Sequence, residues 1–512
     1  MNRITIYPEH VKNRISPFLL GHFAEQFRGN IPGGIYMPEN PLSDTDGMRT
    51  DVIEKMKEAG VTQIRWAGNF SSHYHWMDAV GDKLLRPAKI NFAWGGIEDN
   101  AHGTAEFIKL CRKVGAEPVI GVNMGSGTPE EAMNWVEYCN GSGGTYYADL
   151  RKYHGYEEPF HVKYWCLGNE MYAQWQFGAL NADDYAKEAV HFAYAMKRVD
   201  PSIKLTAVGL ETDPVWNYKT VEKLNVRQAP YAPEAGEYID YISAHYYPIG
   251  NDSAYANSDY RTRMTMGEFF HERTILMRHA IENAADDSEC PIKVVWDEWN
   301  PMGERDGSEF TLEMALWSST ILNSFIRDSK YVEMANYTFF VGGNGPIQVT
   351  EKGMLIQPEF YMMKLYADHL GDSLLESWND VEKVTIDMPV DHRWPKYGMI
   401  QKKERQIPLL DVAVTRATDD SVTAFVTNVS PDQEMEALLE LKECSRTYKR
   451  LAVSTLWHPD LHADNTQNPD EVKTVSRELP LENNACRITF PPHSINTVTF
   501  LSLIHISEPT RH

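Results

Sequence analysis

No stretch of these 512 residues is apolar for long enough to cross a membrane, and no cluster of Lys and Arg is present to hold a nucleic acid or an anionic lipid surface. Positive charge is short overall. The 49 Lys and Arg stand against 72 Asp and Glu, a net charge of −23, which fits a neutral partner better than a polyanion. Cysteine is scarce too. The six (Cys111, Cys139, Cys166, Cys290, Cys444 and Cys486) form no CxxC pair, so free reduced thiols are expected rather than a disulfide framework or a metal cluster. A glycine-rich phosphate loop is missing, which speaks against phosphate or nucleotide chemistry. Internal repeats and low-complexity segments are also missing. The first residues, Met1-Asn2-Arg3-Ile4-Thr5-Ile6-Tyr7, lack the apolar centre of a secretion signal, so a cytoplasmic protein is expected.

Aromatics are plentiful, with 13 Trp and 26 Tyr, and two short runs that contain them stop on carboxylates. One is Val162-Lys163-Tyr164-Trp165-Cys166-Leu167-Gly168-Asn169-Glu170; the other is Ile292-Lys293-Val294-Val295-Trp296-Asp297-Glu298-Trp299-Asn300. Each reads as a buried strand with an acid at its carboxyl end, where α/β sheets and barrels place their chemistry.

Around them, strand and helix signals alternate. Candidate strands are Phe18–Phe23, Val61–Trp66, Glu117–Met124, Val162–Glu170, Ile203–Gly209, Tyr238–Tyr247, Ile292–Trp299 and Tyr331–Phe340. Amphipathic stretches separate them. One opens with Thr128-Pro129-Glu130-Glu131, a cap, a first-turn proline and a carboxylate three residues after the cap. Eight such units predict an α/β fold, a (β/α)8 TIM barrel over residues 15–378, with a doubly wound open sheet as the alternative. From about residue 380 the signals are strands and turns, predicting a jelly-roll-like β-sandwich over 379–501, with 1–14 as a strand that joins it. Residues 502–512 continue no pattern and resemble a translated vector tail.

On the barrel reading, Glu170 and Glu298 end the fourth and seventh strands and face each other across one rim. Such a pair of carboxylates is what glycosidic bond cleavage needs. A single Glu at a strand end is more often just solvated or ion-paired. Two at matching places are harder to explain that way.

Trp165-Cys166-Leu167-Gly168-Asn169-Glu170-Met171, with Trp175-Gln176 after it, resembles the acid/base motif of family 51 glycoside hydrolases, the α-L-arabinofuranosidases. Asp297-Glu298-Trp299-Asn300 resembles that family's nucleophile motif. The likeness covers nearly the whole chain and includes Gly21-His22-Phe23-Ala24-Glu25, Arg65-Trp66, Tyr74-His75-Trp76 and Gly127-Thr128-Pro129-Glu130-Glu131-Ala132. It implies a barrel with a C-terminal sandwich that takes in the N-terminal strand. It also implies a retaining exo-glycosidase that needs neither cofactor nor metal and assembles as a homo-oligomer, often a hexamer.

The resemblance makes Glu170 the acid/base and Glu298 the nucleophile, with Glu25, Asn69, Trp94, Asn169, Trp175, His245, Tyr247 and Gln357 as substrate-binding residues. Taken singly, His245 would more often be a hydrogen-bonded core histidine and Trp94 a packing residue, while Asn69 and Gln357 could serve loop backbone. An acid/base must hold a proton for the first step, so Glu170 is expected to titrate above the usual carboxyl range. Some positions depart from the family pattern. Ala67-Gly68-Asn69 is one glycine short, and Tyr172 and Gln174 replace an Asp and a Pro. Gln26-Phe27-Arg28 follows Glu25 where a His is usual, Pro301-Met302 follows Asn300 where aromatics are usual, and Pro248 follows Tyr247 where a second Tyr is usual. These changes surround the pocket and bear on substrate choice. Two rivals keep the scaffold: the same chemistry on a β-xyloside or β-glucan, and a non-catalytic carbohydrate-binding protein.

Overall fold

The computed structural model describes residues 2–27, 29–225, 238–248, 258–301, 308–388 and 403–502. Eight parallel strands close into a barrel in chain order: Gly21–Ala24, Gln63–Trp66, Glu117–Gly121, Tyr164–Leu167, Lys204–Ala207, Tyr241–Tyr246, Lys293–Trp299 and Val332–Tyr337, the last pairing back on the first. The eight expected strands are those eight, each shorter than its sequence signal. Alternation decides which side chains fill the barrel. Val119, Tyr164, Cys166, Val295 and Met334 pack inside, while Ile120, Trp165, Leu167, Val294 and Trp296 face out to the helices. Both faces are buried, so these strands read as continuous apolar runs.

Helices follow the strands on the outside. Pro129–Asn140 starts as its sequence predicts, with Thr128 Oγ1 accepting from the Glu131 N–H at 3.1 Å and proline in the first turn. Tyr146–Tyr153 is a helix without a clear sequence signal; it is short and keeps Tyr146 and Tyr153 exposed.

Nine strands form the second unit, a curled, mostly antiparallel, sandwich-like sheet. Leu410–Arg416 is its central strand; Ser373–Asp380 and then Asn2–Arg14 follow on one side, the latter also pairing in parallel with Met435–Leu441. Ile4, Leu375, Val412, Ala437, Leu451 and Ile488 meet in one core inside the curl. The first strand signal of this region, Val384–Val390, runs past the described residues at 388, and its described part does not join this sheet. Among the described residues Lys383–Asp387 pairs only with Glu404–Pro408, because Ile386 and Ile407 bury their side chains in the barrel's core cluster. The stretch read as a foreign tail lies, from residue 503 on, outside the described residues.

Candidate active site

The acids sit on the rim where the strands end, and two local departures from regular backbone aim them. After Tyr164–Leu167, Gly168 has φ +83° and Glu170 itself has φ +44°, so the chain turns sharply and Glu170 is turned into the mouth. A left-handed conformation is uncommon outside glycine and is held here by its surroundings. On the other side, Lys293–Trp299 carries an extra residue relative to both neighbours. Val295 pairs with Ser243 but Glu298 with His245, and Trp296 pairs with Ala335 but Trp299 with Tyr337. In a regular strand Asp297 and Glu298 would point to opposite faces. The bulge brings both into the site.

Arg65, at the end of the second barrel strand, ties the site together. Its Nη1 donates to Glu298 Oε1 at 2.7 Å, its Nη2 to Asn169 Oδ1 at 2.7 Å, and its Nε lies 2.9 Å from Asp297 Oδ2. His245 stands between the acids: Nδ1 is 3.0 Å from Glu170 Oε1 and 3.5 Å from Glu298 Oε2, and Nε2 is 3.0 Å from Asp297 Oδ1. The Tyr247 hydroxyl donates to Glu298 Oε2 at 2.6 Å, and the Trp175 indole N–H to Glu170 Oε2 at 2.6 Å. One ligating atom from each of Glu170, His245 and Glu298 lies within 4.8 Å of the others.

These distances fix where the protons go. His245 is fully buried, which works against its charge, but Glu298, Asp297 and Glu170 outweigh burial and lift its pKa to about 10. With both ring nitrogens facing carboxylates, the imidazolium has no lone pair to offer a metal, although these three side chains have the spacing for one. Burial drives the Glu170 carboxyl up, yet its hydrogen bond and attraction to His245 win and hold it below the usual range. Glu298 goes the other way, raised by burial and by the facing Glu170. The expectation of a raised Glu170 therefore does not hold. The reason is His245, whose proton stands in for one on the acid. Asp297 is held low by Arg65 and His245 and stays an anion behind both cations.

A second cluster lies beside the first. Glu25 Oε1 accepts from the Phe70 N–H at 3.1 Å and from the Trp94 indole at 2.9 Å, and burial lifts its carboxyl to about 8. It is therefore largely an acid at neutral pH, able to donate as well as accept. Gly68, at φ +101°, leaves room for it: a Cβ there would sit 2.4 Å from the Glu25 carboxyl carbon. The glycine retained in the shortened Ala67-Gly68-Asn69 stretch is the one this packing needs. Asn69 still reaches inward, its Oδ1 3.4 Å from Asn169 Nδ2, and Gln176 donates to the Asn69 carbonyl at 3.2 Å.

The fold thus gathers Asn69, Asn169, Glu170, Trp175, His245, Tyr247 and Glu298 through direct bonds or shared partners, and Glu25 with Trp94 joins them through the Gly68–Phe70 turn. Gln357 stands apart from this network. It is fully buried at the start of helix Pro358–His369, with Nε2 donating to Thr466 Oγ1 at 3.2 Å and Oε1 accepting from the Asn465 N–H at 3.1 Å. Three members were not singled out from the sequence: Arg65, Asp297 and Gln176. The first two did leave a signal, each a charged residue inside a stretch that reads as a buried strand. Gln176 left none.

Comparison with known proteins follows this geometry. The sequence profile of the α-L-arabinofuranosidase 1 domain matches residues 55–265, and that of the α-L-arabinofuranosidase C-terminal domain matches 295–494. α-L-Arabinofuranosidase C of Emericella nidulans is 35% identical over 507 residues, 96% of this chain and 96% of that protein. An intracellular exo-α-(1→5)-L-arabinofuranosidase of Acetivibrio thermocellus is 31% identical, over 92% of this chain and 93% of its own. The crystal structure of an α-L-arabinofuranosidase from Thermotoga maritima, an arabinose complex, superposes with a TM-score of 0.86 at 34% identity, covering 98% of this chain and 100% of that one.

Proposed function

This chain belongs to the α-L-arabinofuranosidases of glycoside hydrolase family 51, and from that premise we propose that it is a retaining exo-glycosidase releasing terminal non-reducing α-L-arabinofuranosyl residues from arabino-oligosaccharides. The observation that carries the mechanism is the opposed pair Glu170 and Glu298, an oxygen of each within 4.8 Å of the other. Retaining enzymes hold their carboxyls ~5–5.5 Å apart, whereas inverting ones need ~6.5–9.5 Å to fit a water between.

In the first step Glu298 attacks the anomeric carbon and Glu170 protonates the departing oxygen. In the second Glu170 takes a proton from water, which attacks the face that the departing oxygen left and displaces Glu298 from the opposite one. Arg65 and the Tyr247 hydroxyl, already on Glu298, hold the carboxylate in place and receive its charge when the glycosyl ester breaks. Asn169 is fixed by Arg65 for a sugar hydroxyl, and Glu25 and Asn69 line the same pocket. Trp94 and Trp175 wall it. Gln357 would meet the sugar only through its remaining N–H or lone pair, since Thr466 and Asn465 occupy the others. The reading includes a cytoplasmic location, in line with the relative named intracellular, and a homo-oligomer. Turnover of 4-nitrophenyl α-L-arabinofuranoside, set against β-xyloside and β-glucoside analogues, tests the substrate class.

Two expected results follow from the pocket. Asn69→Ala should lower kcat/KM for the arabinofuranoside by at least about tenfold, roughly 1.4 kcal/mol, through a lost sugar contact. A near-neutral effect, with better turnover of a β-xyloside, would overturn the substrate assignment and leave the acids in place.

The second concerns pH. Glu298 must be ionised to attack, so activity rises as pH climbs through its raised pKa. The proton that Glu170 delivers rests on His245, so activity is lost only as pH passes the histidine's value, about 10. Three carboxylates, Glu170, Glu298 and Asp297, face the ring, with Arg65 and Tyr247 behind Glu298. In His245→Gln, Glu298 loses a cation and rises further, moving the acid limb up. Glu170 must then keep its own proton, moving the alkaline limb down. The kcat/KM profile on an arabinofuranosyl disaccharide should narrow from both sides. An unchanged width would take His245 out of the proton chemistry.

A further inference from the structure

Two short strips of chain leave the site in the same in-and-out pattern, one from Glu170 and one from Glu25. In Trp175-Gln176-Phe177 the first and last rings are exposed, and Gln176 is buried, bonded to the Asn69 carbonyl and to Ser72 Oγ. In Phe92-Ala93-Trp94 the outer rings are again exposed, and Asn91 Oδ1 accepts from the backbone N–H of Ala93 at 3.1 Å and of Trp94 at 3.0 Å. The inner rings, Trp94 and Trp175, are each bonded to an acid of the site, Glu25 and Glu170. The outer rings, Phe92 and Phe177, have no such task and remain 61% and 48% exposed.

They nonetheless converge. Phe92 lies 4.1 Å from the His73 ring, Phe177 5.5 Å from it, and the two phenyl rings are 6.4 Å apart, centroid to centroid. Burial and the neighbouring His75 and Lys89 keep His73 below its usual pKa, so the ring between the phenyls is uncharged. The support is stiff. Gly178 packs so tightly on Gly125 that a Cβ on it would lie 2.7 Å from the Gly125 Cα. An exposed apolar group held this firmly, rather than folded inward, is a binding surface more than a packing remnant.

We propose that Phe92 and Phe177, braced by His73, form a distal sugar-binding platform on the leaving-group side of the cleft, taking the second sugar beyond the bond that breaks. The inference rests on the glycosidase reading above. Its direction comes from Glu170: the acid/base must stand beside the departing oxygen, and the strip that ends in Phe177 begins with the Trp175 bonded to that acid. The ligand is thus a short arabinofuranosyl chain laying the apolar C–H faces of its ring on flat aromatics, in continuity with the site.

The experiment compares 4-nitrophenyl α-L-arabinofuranoside with α-(1→5)-linked arabinofuranosyl di- and trisaccharides on the wild-type protein and on Phe92→Ala/Phe177→Ala. Remote contacts act through kcat/KM, so the double variant should lose about tenfold on the trisaccharide and no more than about twofold on the other two substrates. Phe92→Leu/Phe177→Leu keeps apolar bulk without a flat face and should show the same split; Phe92→Tyr/Phe177→Tyr should restore trisaccharide turnover. An equal loss on all three substrates, or no loss on the trisaccharide, would overturn the platform. Failure of the wild-type protein to hydrolyse any of the three would instead overturn the glycosidase reading, so the two are separable.

Discussion

Glu298→Ala is expected to cut turnover of 4-nitrophenyl α-L-arabinofuranoside by about 10⁴-fold or more, equivalent to roughly 5.5 kcal/mol of transition-state stabilisation. The proposed route needs a covalent bond from this carboxylate, and the site holds no spare acid in its place. Asp297, the adjacent one, is engaged by Arg65 and His245. The alanine also leaves the Arg65 Nη1 and the Tyr247 hydroxyl without the oxygens they now hold at 2.7 and 2.6 Å. Those donors line a ready-made anion site, so added azide should enter it and attack the anomeric carbon directly. The product should be a glycosyl azide of inverted configuration, identified by NMR, because one displacement replaces two. A product of retained configuration would exchange the roles of Glu298 and Glu170.

Glu170→Ala is expected to separate substrates by leaving group. A nitrophenolate departs without a proton, so the glycosyl-enzyme should still form from the aryl substrate, as a burst followed by slow release. Departure of a sugar needs the acid, and the disaccharide should lose about 10²–10⁴-fold, the range typical of a missing general acid. Removing the carboxylate frees the space between the Trp175 indole and His245 Nδ1, both of which now point at it. Azide entering there meets the glycosyl-enzyme on the leaving-group face and should speed its breakdown with retention. Equal losses on the aryl substrate and the disaccharide, or azide rescue with inversion, would contradict the acid/base role.

The barrel was legible because parallel strands with covered faces must be apolar throughout. Short apolar runs such as Tyr164–Leu167 and, within Lys293–Trp299, Val294-Val295-Trp296 therefore announce themselves among amphipathic helices. The rim acids were legible for a related reason: a carboxylate ending such a run has no packing role. The second unit was less so. Lys383–Asp387 has a strand pattern, yet which sheet it joins depended on where Ile386 and Ile407 find a core.

Within the site, the sequence by itself determined which two carboxylates oppose each other, since strand order and strand ends fix that much. It did not determine their protonation. Glu170 and Glu298 are the same residue type at equivalent strand ends. What separates them is that His245 Nδ1 sits 3.0 Å from one and 3.5 Å from the other, with Asp297 behind the ring. Nor did it determine that Asp297 and Glu298, consecutive residues on a strand of period two, would both enter the mouth. That required the extra residue in Lys293–Trp299, visible only as a slip in its pairing with both neighbours. Arg65 is the last such case. A lone arginine in a strand carries no address, and only closure of the barrel brings it within 2.9 Å of Asn169, Asp297 and Glu298 together, because charge interactions depend on distance in space and not on order along the chain.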